Sequence, residues 1–353
     1  MMSVSEDKLR ELLKEIVHPE SGENIVDSGI VSRISAGSDS ISVVLSFSKK
    51  RDPFANSIKR RINELLSGSF PECSIAVEIA GSDQCNENSA VQEETVVSNI
   101  KNIIAVASGK GGVGKSTVTA NLAATLRDMG FRVGILDADI YGPSMPKMFG
   151  LEGFAPQPVF ANGKDYIMPA VAEGIKISSI GFFISPDDAL IWRGPMATNA
   201  LRQLIHQTFW EDLDYLLIDM PPGTGDVHLS VTAELKINGA IIVSTPQQVA
   251  IADAVRGIHM FQADGIDVPV LGIIENMAWF TPEELPDNKY YIFGHGGARD
   301  LAHKENVDFL GDIPIVMSVV SGADNGKPAV MSDSIVEKYY RDIAGKIVEK
   351  TKK

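Results

Sequence analysis

Cysteine is nearly missing from this chain: Cys73 and Cys85 are the only two in 353 residues. Two thiols cannot form a disulfide framework, and these two are not spaced as CxxC. Long apolar runs are also missing, and none approaches the roughly 18 residues of a membrane-spanning helix. The amino terminus, Met1 to Lys8, carries charge where a signal peptide would be apolar. Positive charge is in deficit, with 32 Lys and Arg against 46 Asp and Glu and a net charge of −14. Such a surface repels phosphate backbones and anionic lipid, so neither a nucleic acid nor a membrane is an expected partner. These absences together predict a soluble, reducing, cytoplasmic protein. What is present is ordinary globular composition, 44% apolar and 22% charged, in a length that suits about two domains.

The first 80 residues read as a small α+β domain. Ser3 with Glu6 fits a capping box, and Leu9, Leu12, Leu13, Ile16 and Val17 follow at helical spacing. Ile41 to Phe47 alternates as a strand does, Ile58, Ile62, Leu65 and Leu66 mark a second helix, and Ile75, Val77 and Ile79 alternate again. Residues 81–100 are polar and aperiodic, their charges being Asp83, Glu87, Glu93 and Glu94, which predicts a flexible acidic linker. In 101–353 short apolar runs at Ile103–Ala107, Val133–Leu136, Tyr215–Ile218, Ala240–Val243 and Val270–Ile274 alternate with helical stretches such as Ser116–Arg127 and Ala250–Asp264. That pattern predicts an α/β fold with a doubly wound, mostly parallel sheet, whose ligands lie at the carboxyl ends of the strands.

Gly109-Lys110-Gly111-Gly112-Val113-Gly114-Lys115-Ser116-Thr117 matches GxxxxGK[ST] between a predicted strand and a predicted helix, the context that confirms a phosphate-binding loop. Glycine lets backbone N–H groups converge on phosphate oxygens, and the helix N-terminus adds partial positive charge. Lys115 is placed to neutralise the β- and γ-phosphates, and the Ser116 hydroxyl to bind Mg²⁺. Lys110 is an additional cation. Either it only adds local charge, or it reaches a nucleotide held by a facing subunit. Asp137, Asp139 and Asp219 end predicted strands. A strand-end aspartate either faces the ligand crevice or caps a helix. The Gly/Pro run Pro221 to Gly225 is then a candidate γ-phosphate-sensing loop. Asn276 either forms a turn or contacts the nucleotide. His206, His228, His259 and His303 show no triad spacing and read as surface or core histidines.

The loop with its early lysine resembles the deviant Walker A motif of the MinD/ParA/nitrogenase-iron-protein class of dimeric P-loop NTPases. That resemblance implies that Lys110 crosses a homodimer interface, that Asp219 is the Walker B residue, and that Asp139 orients the attacking water. It also implies that Asp137 supports the Mg²⁺ shell and that Asn276 reads the base, with ATP as the nucleotide. Asp137 to Ser144, Trp192 to Met196, Asp219 to Asp226, Glu275 to Met277 and Ile292 to Gly297 narrow the resemblance to the Mrp/ApbC/Nbp35 branch, the iron–sulfur cluster carriers. His18-Pro19-Glu20 and Val26 to Val31 resemble the MIP18-like (DUF59) domain that precedes the ATPase in bacterial members. The resemblance implies ATP hydrolysis, a homodimer, and assembly and transfer of [4Fe–4S] clusters to apoproteins.

The chain departs from that pattern at one place. The branch carries CxxC just after the Asn-Met-x-aromatic-Phe segment, where two subunits bridge one cluster, whereas here Phe280 to Asp287 reads FTPEELPD. Asp52-Pro53 likewise stands where related small domains have Cys-Pro. The cluster ligands are therefore unknown, and a nucleotide-switched ATPase without its own cluster is the alternative. A positioning ATPase of the MinD or ParA kind is a third reading, disfavoured by the net charge and by a C-terminal helix whose apolar side, Val336, Tyr339, Tyr340, Ile343 and Ile347, reads as a core face.

Overall fold

A computed structural model describes residues 6–14, 16, 24–36, 40–46, 55–70, 74–79, 99–161, 164–183, 194–282, 284–285 and 287–352. The chain divides into two compact units, Met1–Gln92 and Glu93–Lys353. Ser3, His18 to Glu20, Asp52-Pro53, Cys73, Cys85 and Trp192-Arg193 lie outside the described residues, as does the expected linker up to residue 98. At the other end of that linker Ile100 already belongs to a strand.

In the first unit α1 (Glu6–Leu13) precedes β1 (Val31–Ala36) and β2 (Ser40–Leu45), and α2 (Ala55–Ser69) leads into β3 (Ser74–Ile79). β2 is the middle strand, antiparallel to β1 and parallel to β3. Leu9 and Leu13 of α1 and Ile58, Ile62 and Leu66 of α2 join Ile34, Ile41, Val43 and Leu45 in one core. β1 is not visible in the sequence pattern. A bulge between Val31 and Arg33 sets the buried Val31 and Ile34 three residues apart, which breaks the alternation that marks a strand.

The second unit is built on an eight-stranded sheet. Its strands are β4 (Ile100–Ser108), β5 (Val133–Asp137), β8 (Ala170–Ala172), β9 (Ile175–Ser179), β10 (Leu213–Pro222), β11 (Gly239–Ser244), β12 (Val270–Phe280) and β13 (Phe309–Ile315), with a separate hairpin of β6 (Pro158–Ala161) and β7 (Lys164–Ile167). The order across the sheet is β13-β12-β11-β4-β10-β5-β9-β8, every pair parallel except β8 with β9. The five strands read from apolar runs are β4, β5, β10, β11 and β12. β8, β9 and β13 were not read: β8 is very short, and β13 carries Gly311, Asp312 and Pro314, which look like a turn.

The helices are α3 (Lys115–Asp128), α4 (Met145–Met148), α5 (Gly194–Gln207), α6 (Asp226–Glu234), α7 (Gln248–Gln262), α8 (Gly297–Lys304), α9 (Met317–Asp324) and α10 (Ser334–Thr351). Alternate residues of β4 face opposite cores. Ile104 and Val106 pack with residues of α3 and α10, while Ile103, Ala105 and Ala107 pack with residues of α5, α7 and α8. Covering both faces is what lets parallel strands be apolar throughout. β10 and β11 flank β4, so chain connections diverge at its carboxyl end and leave a crevice there.

α10 is the core helix its spacing predicts. Val336, Tyr340, Ile343, Ala344, Ile347 and Val348 are buried, and Asp333 caps it by accepting from the N–H groups of Ile335 (2.8 Å) and Val336 (3.3 Å). Among the described residues no helix is long and apolar enough to cross a membrane. The Tyr340 hydroxyl is fully buried without a hydrogen-bond partner among the described residues, and burial pushes its ionisation far up. An unmet buried hydroxyl costs about 1–3 kcal/mol. Tyr340→Phe is therefore expected to leave the urea midpoint unchanged or raise it, while Tyr340→Ala costs about 3–5 kcal/mol through the cavity it opens. A clear drop in the midpoint for Tyr340→Phe would show that the hydroxyl has a partner.

Candidate functional site

The loop between β4 and α3 forms the floor of a cleft of about 240 Å³ lined by Lys110 to Thr117, Asp139, Gly142, Ser144, Met148 and Pro222. Two of its glycines are structurally required. At Gly109 a Cβ would sit 2.1 Å from the Asp253 backbone of α7, which crosses there. Gly114, with φ 82°, ends the loop in the left-handed region, and α3 starts directly after it.

Lys115 is buried and its Nζ lies 2.7 Å from Asp219 Oδ1 and 4.0 Å from Asp139 Oδ2. Asp219, at the end of β10, is fully buried and also accepts from Ser116 Oγ at 2.6 Å and Thr119 Oγ1 at 2.9 Å. Asp137, at the end of β5, is its neighbour across the parallel pairing of the two strands. Asp137 accepts from the Asp139 N–H (3.3 Å), the Met145 N–H (3.2 Å) and Ser179 Oγ (2.9 Å). Lys115, Asp137, Ser179 and Asp219, far apart in sequence, are thus gathered by three strand ends and one helix start.

The charge balance of this group is informative. One ammonium faces three carboxyl groups. Burial, and then the Asp219 charge, push Asp137 up to about 7. Burial also raises Asp139, with Lys115 partly opposing it. A cluster short of positive charge and rich in oxygen suits a hard divalent cation. Among the described residues Asp139 Oδ1 and Ser144 Oγ are buried at the cleft without hydrogen-bond partners. Both are polar atoms available to a ligand.

The structure brings together Lys115, Ser116, Asp137, Asp139 and Asp219, all read from the sequence. Lys110 lines the same cleft, half-buried, and its ammonium has no ion-pair partner among the described residues. Asn276 lies behind the loop: it is buried and its Nδ2 donates to the Val113 carbonyl at 2.8 Å. Thr119, Ser144, Ser179 and Glu275 belong to the site's surroundings and were assigned no role from sequence. Their only sequence signal was adjacency to a motif, and Ser179 lacked even that. The histidines are structural, as expected. His206 and His259 pair with Glu234 and Glu305. His228 is buried, which drives its imidazole down to about 4.

The segment after β12, where the resemblance places CxxC, is a loop closed by reciprocal Phe280 and Tyr290 backbone bonds of 2.9 and 2.8 Å. Lys289 Nζ stacks on the Trp279 ring at 3.9 Å. Thr281, Pro282, Glu284 and Asp287 supply only hard oxygen atoms there, which do not suit an iron–sulfur cluster. Among the described residues no group of three or more His, Cys, Asp or Glu gathers as a metal site.

Residues 99–348 match the ParA family, described as NUBPL iron-transfer P-loop NTPase, and residues 6–79 match the family described as iron-sulfur cluster assembly protein. The iron-sulfur cluster carrier protein of Synechocystis is 38% identical over 97% of this chain and 97% of its own. A nucleotide-binding protein from Archaeoglobus fulgidus, solved in complex with ADP, superposes with a TM-score of 0.58 at 40% identity, covering 67% of this chain and 91% of its own. The cell division ATPase MinD of Pyrococcus furiosus shares the fold, with a TM-score of 0.52 at 24% identity over 70% of this chain and 99% of its own. With the loop, the strand-end aspartates and both matched regions in place, the chain belongs to the NUBPL iron-transfer P-loop NTPase family and carries an iron-sulfur cluster assembly domain at its amino end.

Proposed function

We propose that this chain is a Mg²⁺-dependent ATPase that works as a homodimer in the cytoplasm, in the assembly of iron–sulfur clusters and their transfer to apoproteins. The observation that carries the proposal is the buried Lys115–Asp219 pair at the head of α3, with the unpartnered Asp139 oxygen facing the same cleft. Lys115 neutralises the β- and γ-phosphates, and backbone N–H groups of Gly111 to Thr117 cradle them. Ser116 Oγ and Asp219 would hold Mg²⁺, with Asp137 supporting its shell, and the bound cation would neutralise phosphoryl charge. Asp139 accepts a hydrogen bond from the attacking water and aims it at phosphorus; its raised carboxyl is closer to the range of a working base. Lys110 enters the partner protomer's cleft as a trans-acting cation. The Pro221–Gly225 loop, tied back by a 2.9 Å bond from the Gly223 N–H to the Ser108 carbonyl, relaxes once the γ-phosphate leaves.

A second reading, a nucleotide switch that serves a cluster held by another protein, is favoured by one fact: residues 93–353 contain no cysteine.

Lys115→Ala is expected to abolish ATP binding in an equilibrium titration. Lys110→Ala is expected to keep binding within about threefold while losing ATP-dependent dimerisation on size exclusion and most turnover, since a trans cation contributes about 10³-fold or more. Undiminished turnover in either variant overturns its role. Turnover is expected to fall on acidification at a pH above the ordinary carboxylate value near 4, because Asp139 must be ionised and its pKa is raised. A pH profile of single-turnover hydrolysis checks this, and a limb at or below pH 4 contradicts it. Anaerobic reconstitution with iron and sulfide is expected to load at most one four-iron cluster per two chains, and none in Cys73→Ala/Cys85→Ala. Iron retained by the double variant would show ligation without thiolate.

A further inference from the structure

The loop after β5 runs from Asp139 to Ser144, and both of its ends are held on one carboxylate. Asp137 Oδ1 accepts from the Asp139 N–H at 3.3 Å, and Asp137 Oδ2 accepts from the Met145 N–H at 3.2 Å. The Met145 N–H belongs to the peptide that joins it to Ser144, so Asp137 draws Asp139 and Ser144 toward each other. Ser179 Oγ donates to the same Oδ2 at 2.9 Å and fixes the carboxylate from the side of β9. Pro143 and Pro146 flank Ser144 in sequence and restrict the backbone around it. Both lie against Gly181, where a Cβ would meet Pro146 Cγ at 3.0 Å and Pro143 Cβ at 3.2 Å.

Asp139 and Ser144 line the same cleft as the phosphate loop. Asp139 Oδ1 and Ser144 Oγ are each buried there without a hydrogen-bond partner among the described residues. Ser144 immediately precedes α4, where a serine ordinarily caps the helix, yet its hydroxyl makes no such bond. A buried hydroxyl left unmet is unfavourable, and one that neither caps nor pairs is open to a ligand.

A water held by Asp139 alone still turns about that single hydrogen bond. A second acceptor takes its other hydrogen and leaves its lone pair in one direction. The geometry points to Ser144 as a catalytic residue that supplies this acceptor: Ser144 Oγ and Asp139 Oδ1 together hold the attacking water. In the step, the water oxygen forms the new bond to the γ-phosphorus, and the bond from phosphorus to the bridging oxygen breaks with its electron pair remaining on ADP. One water proton passes to the Asp139 carboxylate, and the hydrogen on Ser144 Oγ's side stays with the phosphate. Ser144 keeps its own proton. The inference rests on the ATPase reading above and adds a residue to it.

The test is single-turnover ATP hydrolysis in Mg²⁺ by the whole chain and its variants. The affinity for the non-hydrolysed β,γ-imido analogue of ATP and the Tm are recorded for each. Ser144→Ala is expected to lower the rate about tenfold, the worth of one neutral hydrogen bond, with analogue affinity within about twofold and Tm unchanged or higher. Ser144→Thr keeps the hydroxyl and is expected to recover most of the rate. In an Asp139→Asn background, Ser144→Ala is expected to cost no further rate, because the two groups hold one water. Ser144→Cys, close to serine in size and a weak acceptor, carries the comparison if the alanine variant does not fold. An undiminished rate in Ser144→Ala overturns the inference. A second loss of about tenfold on top of Asp139→Asn overturns it too, since the groups then act apart. Equal losses in rate and in analogue affinity make Ser144 a phosphate ligand and overturn it as well. Failure of the ATPase reading is visible separately, as absent hydrolysis by the wild-type chain.

Discussion

The buried ion pair between Lys115 and Asp219 is the constraint around which the second unit is organised. An ammonium this deep is tolerated only against a carboxylate, and stripping one partner leaves an uncompensated charge at a cost of about 3–5 kcal/mol. The pair fixes the start of α3 against the end of β10, two elements adjacent in space and about a hundred residues apart in sequence. Thr119 and Ser116 add hydroxyl donors to the same carboxylate, so the first turn of α3 is held along one side. Asp137 stands beside it, its ionisation pushed up by burial and then by its neighbour's charge. The group is stable as built and still short of positive charge, which is the electrostatic condition for taking a metal nucleotide.

Much of this was legible in the sequence because phosphate chemistry demands fixed residue types at fixed spacing. The loop from Gly109 to Thr117 and the aspartates at 137, 139 and 219 announce themselves in that way. Short, uninterrupted apolar runs mark the inner strands, which are buried on both faces. The supporting groups were hidden because their partners are set by strand order. Ser179 reaches Asp137 only because β9 pairs with β5, a neighbour relation no local pattern encodes. Asn276 is conspicuous in the sequence, yet its partner Val113 lies 163 residues away, so that hydrogen bond could not be read from its own surroundings.

The site also shows how a P-loop fold divides labour between side chains and backbone. On the proposed reading the groups that would face phosphate are backbone N–H groups of the loop, which carry no side-chain identity. Behind the loop lie the Asp253 backbone, where it leaves no room for a Cβ on Gly109, and the amide of Asn276, bonded to the Val113 carbonyl. Side-chain identity is kept for the carboxylates and lysines, where charge and proton affinity matter. The loop after β12 varies outside this arrangement. It is closed at its base by Phe280 and Tyr290, so its contents can change without disturbing the strand that braces the phosphate loop.

The two flanks of the large sheet bear on what the protein avoids. One ends in β8, three residues long, and the other in β13, where Pro314 offers no N–H and Asp312 is tied to Arg299 at 2.8 Å. An incoming strand meets a short ladder on one side and one interrupted by proline on the other. A mostly parallel sheet of eight strands is slow to assemble and a hazard for fibrous growth while its edges are open. Blunting both edges removes that hazard at its source and directs self-association away from strand-on-strand polymerisation.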